Sequence, residues 1–227
     1  MHVHYKRGLL RAGVVTAAVL PAVVLGQGAG MASTHRILHK VVNLINDPGA
    51  EKAKTSADGA VTVPGWTIAK TSGFTAVRYG TAGGFPGPGN HLPKAKGKWF
   101  FAGGNDDAVA TASQIDSLAK NKKLISGKRA EFTLSAWLGG FSTQTDHATL
   151  TVTWLSGADK ALGHTTIGPV TEAQRKGNTG LWFRTTSGKV PSGARFALVT
   201  LRMTREQGSY DDGYADNLSL TLVRSKR

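Results

Sequence analysis

The chain has 227 residues, 28 Lys and Arg against 14 Asp and Glu, a net charge of +14 and no cysteine. The lack of cysteine excludes a disulfide scaffold, a thiol nucleophile and Cys-ligated zinc or iron–sulfur sites. With 40% hydrophobic and only 19% charged residues, the bulk of the chain is not a disordered polyelectrolyte, and 29 glycines without a collagen-like period point to a turn-rich β fold.

The first element in chain order is an export signal. Lys6, Arg7 and Arg11 precede an apolar stretch over 12–26 that is broken by Pro21, and small residues lead to Ala32. That three-part layout predicts a secretory signal peptide over 1–32. The run is too short to span a membrane, which takes about 20 apolar residues. Removing 1–32 takes three basic residues and no acid, leaving 25 against 14, a net +11 over 195 residues. A flexible leader over 33–42 and one domain over 43–224 are expected, secreted to the extracellular space, with no membrane span after signal cleavage. His35 and His39 fall in that leader without an acid nearby to complete a metal site.

The body alternates with period two, which predicts about ten short strands. NLIN (43–46), GWTIAKT, TAVRYG, KWFFAGG and VATASQIDSL come first, followed by RAEFTLSAWLGG, HATLTVTWLS, GLWFRTTSG, ARFALVTLRMTR and NLSLTLVR. Phe132, Leu134, Ala136 and Leu138 share one face, as do Ala148, Leu150, Val152 and Trp154, which places Trp154 in the core. Residues 81–98 are rich in Gly, Pro and Lys and read as a long surface loop. SLAKNKKLISGKRAEF reads as a solvated basic loop, and TEAQRKGN as the best candidate for a short helix. Strands without intervening helices imply antiparallel pairing, so the fold class is all-β, an antiparallel β-sandwich of jelly-roll type.

Catalytic patterns are missing: the chain contains no HExxH, Walker loop or GxSxG. The densest acidic stretch is GSYDDGYADNLSLTL (208–222), where Asp211, Asp212 and Asp216 fall within six residues and Asn217 follows. Grouped oxygen ligands before a last strand suit calcium, and a polar hairpin turn uses the same residues. A secreted hydrolase would use Asp106, Asp107, Asp211, Asp212 or a histidine.

NLINDPGAE (43–51), PGWT (64–67) and the closing YADNLSLTL (214–222), with FTAVRYG, WFFAGG, ATASQIDSL and FTLSAWLGG between them in order, resemble the galactose-binding-like jelly rolls of carbohydrate-binding modules in exported bacterial proteins. The resemblance runs over 43–223. Asp47-Pro48-Gly49 departs from it by inserting a turn into the opening motif. The resemblance implies a structural calcium held by Glu51 of the opening segment and Asp216 of the closing strand. It also implies carbohydrate binding by an aromatic platform with polar partners. Trp66, Arg78, Tyr210, Asp211, Asp212, Tyr214 and Asn217 are the candidate ligand-binding residues, and Trp99, Trp137, Trp182, Tyr79, Arg184 and Gln114 are further ones. The expected function is a non-catalytic module that recognises a glycan or an anionic cell-envelope polymer. Export argues against a nucleic-acid partner, and an adhesive surface protein without a small ligand is the alternative.

Overall fold

The computed structural model describes residues 41–55, 61–70, 72–105 and 107–225. The predicted signal peptide and most of the leader lie outside them, as does Asp106. The described chain is a β-sandwich of two five-stranded antiparallel sheets. In chain order the strands are β1 (Lys54–Thr55), β2 (Val61–Thr62), β3 (Thr67–Ile68), β4 (Thr75–Arg78), β5 (Trp99–Asn105), β6 (Val109–Ser117), β7 (Ala130–Gly140), β8 (His147–Leu155), β9 (Ala161–Ile167), β10 (Gly180–Lys189), β11 (Phe196–Thr204) and β12 (Tyr210–Arg224). One sheet has the order β10-β7-β12-β5-β4, the other β3-β6-β11-β8-β9, and β1 pairs only with β2. From β5 to β8, and again from β9 to β12, successive strands switch sheets, so most connections cross the sandwich.

The alternation places the core. Phe132, Leu134, Ala136 and Leu138 of β7 face Ala148, Leu150, Val152 and Trp154 of β8 and Ala197, Val199, Leu201 and Met203 of β11 in one buried cluster. Trp154 is buried there against Phe132 at 5.2 Å. The opposite parity carries the hydroxyls. Thr67, Ser113, Thr200, Thr151 and Thr166 form a row across all five strands of the second sheet. Thr suits such rows, because its branched Cβ fits the pleat while its hydroxyl stays in water.

Four expectations change. NLIN is not a strand: the Asn43 side chain itself bonds the β12 backbone, donating to the Leu218 carbonyl and accepting from the Leu220 amide, and Asp47 and Ala50 then take positive φ. The opening segment still lies along β12, with Leu44 N donating to Leu220 O and Leu218 N to Pro48 O. β9 and the β1–β2 hairpin were not predicted, because most of their residues are exposed and polar and leave no apolar period. The basic stretch is not all loop: residues 119–121 form a 3-10 turn and Lys122–Ser126 a short helix α1 that buries Ile125. The acidic cluster is not a turn before the last strand, since β12 already begins at Tyr210. The predicted helix is α2 (Glu172–Arg175), closed by a Thr171/Gln174 capping box and by Lys176 in the left-handed region.

Candidate functional site

The sheet β10-β7-β12-β5-β4 has one face in the core and one turned outward. The Gly/Pro-rich loop after β4 crosses that outer face as a strap, from one edge strand to the other. Its tip, His91, bridges to Gly180 of β10: Leu181 N donates to His91 O at 2.8 Å, and His91 Nδ1 donates to Leu181 O at 2.7 Å. Gly80 N bonds Pro86 O, and Gly87 N bonds Asn90 Oδ1. Phe85, Leu92 and Tyr79 pack over Phe100, Ala102, Leu181 and Tyr214, a second apolar cluster on the outer side of the sheet. Part of that face is therefore covered.

Aromatic rings line the boundary of the covered part. Trp137 of β7 stands opposite Phe183 of β10, with ring centroids 5.9 Å apart, and Phe183 is 48% exposed. His91 lies 5.7 Å from Trp137 and stacks on Trp182 at 4.8 Å with the planes 8° apart. Beyond this strip the outer face is open and carries two rows of hydroxyls across three strands. Thr185, Ser135 and Ser219 form the first row, and Ser187, Thr133 and Thr221 the second. An aromatic margin beside ranked hydroxyls matches the two surfaces of a sugar, whose C–H face is apolar and whose rim needs hydrogen-bond partners.

Asp216 sits next to Trp137 on the same face, fully buried under the strap. Its Oδ2 accepts from the Tyr79 hydroxyl at 2.7 Å and its Oδ1 from the Asn217 amide at 2.6 Å. Burial first, and then the nearby Glu51 charge, push its carboxyl up to about 7, against the Tyr79 and Asn217 bonds that lower it. Glu51 accepts from the Lys98 and Trp99 amides at 2.9 and 3.0 Å. Gly49 packs between the Asp216 carboxylate and the Glu51 stem, where a Cβ would come within 2.9 Å of Asp216 Oδ1 and 3.9 Å of Glu51 Cγ, while the Glu51 carboxylate lies against Gly97. A hard cation of the calcium type takes carboxylate oxygens, and Glu51 and Asp216 are the pair that the sequence resemblance implies for it. No group of three or more His, Cys, Asp or Glu among the described residues is arranged to hold a metal, so other ligands would have to be carbonyls or water.

The remaining candidates divide. Trp66 is core, 8% exposed, its Nε1 donating to Asp47 O and its ring edge-on to Phe101 at 5.4 Å. Tyr214 is not on a loop face: it is 1% exposed and its hydroxyl donates to Asp212. Asp211 and Asp212 are also buried, through bonds that fold the strand start. Asp211 Oδ1 accepts from Gly213 N, and Asp146 accepts from the Glu206, Gln207 and Asp212 amides. Asp107 Oδ2 accepts from Gly73 N. These bonds hold backbone. Gln114 is buried against Asn46 through two bonds. Asn217 Nδ2 donates to Ala95 O and ties the strap to β12. Arg78, Trp99 and Tyr210 line an open cleft of about 550 Å³ along the β4 edge, where Arg78 lies over Trp99 at 4.8 Å and Tyr210 is edge-on to Phe85.

No family model matches the chain, and no curated protein matches it. Solved structures do. The enzymatically active domain of tailspike protein 4 from bacteriophage CBA120 is 16% identical over 80% of this chain, with a TM-score of 0.51, and the chain spans 22% of that protein. A family 16 carbohydrate-binding module is 17% identical, with 78% of this chain and 99% of that one covered at a TM-score of 0.49. A cyclase from Fischerella sp. TAU is 15% identical, with coverages of 82% and 100% and a TM-score of 0.48. The two packed five-stranded sheets themselves make the architecture an antiparallel jelly-roll β-sandwich, and carbohydrate-binding modules are among the solved structures it is similar to. No described helix is long and apolar enough to cross a membrane.

Sequence reasoning named Trp137 and Trp182 without separating them from core aromatics, and it passed over Phe183 and the part played by His91. A signal was present for Phe183. Adjacent Trp182 and Phe183 on one strand must point to opposite faces, so one large ring has to leave the core.

Proposed function

We propose that this chain is an exported, non-catalytic module that binds a glycan on the open part of the β10-β7-β12 face. One observation carries the proposal: the Trp137–Phe183 margin abuts two ranks of three hydroxyls on a rigid sheet. Sugar rings would stack on the margin and hydrogen-bond across the ranks, with the strap as a wall at one end. Rings that strands hold in place lose little freedom on binding. A structural calcium between Glu51 and Asp216 belongs to the same proposal: it would tie the opening segment, the strap and β12 together beside the sugar.

Screening the purified chain against an array of neutral and acidic glycans, followed by calorimetry on the hits, tests the reading. Trp137→Ala is expected to weaken binding by about tenfold or more without unfolding the protein. Silence across the array, or hits indifferent to Trp137, would leave the adhesive alternative. One feature favours that alternative: Ile115, 63% exposed, stands beside Leu198 on the outer face of the second sheet.

A further inference from the structure

A half-enclosed cavity of about 370 Å³ lies where the strap tip meets α2 and the segment that follows it, at the β10 margin. We infer that it is a subsite for an acidic sugar residue; this deepens the glycan reading and rests on it. One wall is the His91–Trp182 stack, parallel within 8°. The polar lining comes from Asn90, Gln174, Lys176 and Asn178.

The hydrogen bonds already made decide which groups remain for a ligand. Asn90 Oδ1 accepts from Gly87 N, which leaves its amide nitrogen to donate. Gln174 Oε1 accepts from Thr171 N and Arg184 Nη2, which likewise leaves its amide nitrogen. Asn178 is reversed: its Nδ2 donates to the Arg175 and Lys176 carbonyls. Arg175 closes the cavity from behind. Its guanidinium is buried, which lowers its pKa, and it donates to the Ser142, Gln144 and Asn178 carbonyls with its Nε left without a partner, while the Glu172, Asp146 and Asp212 charges nearby favour its charged form. Lys176, exposed at the lining, is thus the basic residue whose ammonium is available to the cavity, beside two amide donors, and no acid lines it. A cation and two amide donors against an aromatic wall suit a ring that carries a carboxylate. Such a ring would reach the hydroxyl ranks through His91, 5.7 Å from Trp137. The net charge of +11 on residues 33–227 would draw an anionic chain to the surface.

The test is an NMR titration of the 15N-labelled chain with glucuronate and galacturonate, against glucose, galactose and acetate. The indole N–H of Trp182 and the amides of His91 and Lys176 to Thr179 should move with the uronates, and about tenfold less readily with the neutral sugars. Lys176→Asn keeps a residue suited to positive φ and should lower uronate affinity about tenfold, leaving neutral glycans that depend on Trp137 unaffected. Equal response to uronate and parent sugar, indifference to Lys176→Asn, or acetate reproducing the uronate shifts overturns the subsite. Neutral binding that needs Trp137 but gains nothing from a uronate overturns the subsite alone, whereas no sugar response at either place overturns the glycan reading with it.

Discussion

Trp137 and Trp154 differ in fate through strand parity. Trp154 shares a face with Leu150 and Val152 and is sealed between the sheets, while Trp137 stands one position out of phase with Ala136 and Leu138 and meets solvent. Trp154→Ala should cost about 3–5 kcal/mol in chemical denaturation, against a smaller cost of about 1–2 kcal/mol for Trp137→Ala, which is half-buried against the outer apolar cluster and should act mainly on binding. The buried acids give a second residue-level expectation. Asp211 Oδ2 and Asp116 Oδ2 are buried without a partner. Burial raises Asp116 to about 6, and burial with the Asp146 and Asp212 charges raises Asp211 to about 7. Unfolded aspartates titrate near 3.9, so between about pH 4 and 7 the folded chain holds protons that the unfolded chain has released. These two groups therefore stabilise the fold most at the acid end of that window, and the gain is lost as pH rises through 6 to 7. The melting temperature should be higher at pH 5 than at pH 8 by about 3 °C or more, and Asp211→Asn should remove part of that difference. An Asp211→Asn profile parallel to wild type would contradict the assignment.

Among the elements, the strap decides which part of the sheet is open. It is a long loop without regular structure, yet it is held at both edge strands and by Phe85 and Leu92 between them. Its attachment at β10 depends on the close approach of Gly139 and Gly180, since a Cβ on Gly139 would lie 1.8 Å from the Gly180 carbonyl oxygen and 3.0 Å from Leu181 Cα. Both contacts are backbone, so neither can swing aside. Gly139→Ala should destabilise the protein by about 2 kcal/mol and speed hydrogen exchange at the Leu181 amide, which bonds the strap. Unchanged exchange there would show that the strap holds without this register.

On the scale of the whole molecule, the opening segment packs on the closing strand with Gly49 beside Asp216 and the Glu51 stem, and Glu51 and Asp216 are 165 positions apart in the chain. With calcium present at about a hundred times its Kd, the fold should gain about 2.7 kcal/mol, so a chelator should lower the melting temperature by several degrees and Asp216→Asn should abolish the response. A chelator without effect would remove the ion from the proposal. The all-β class, most strands, the core faces and the capped α2 were legible in the sequence, because each follows from local periodicity or from a short-range bond such as the Thr171–Gln174 box. The path of the strap to β10, the burial of Asp211 and Tyr214, and the pairing of Trp137 with Phe183 were decided by tertiary structure alone. Parity tells which residues share a face, but not which of two faces a distant loop will cover, because that depends on contacts between segments remote in the chain.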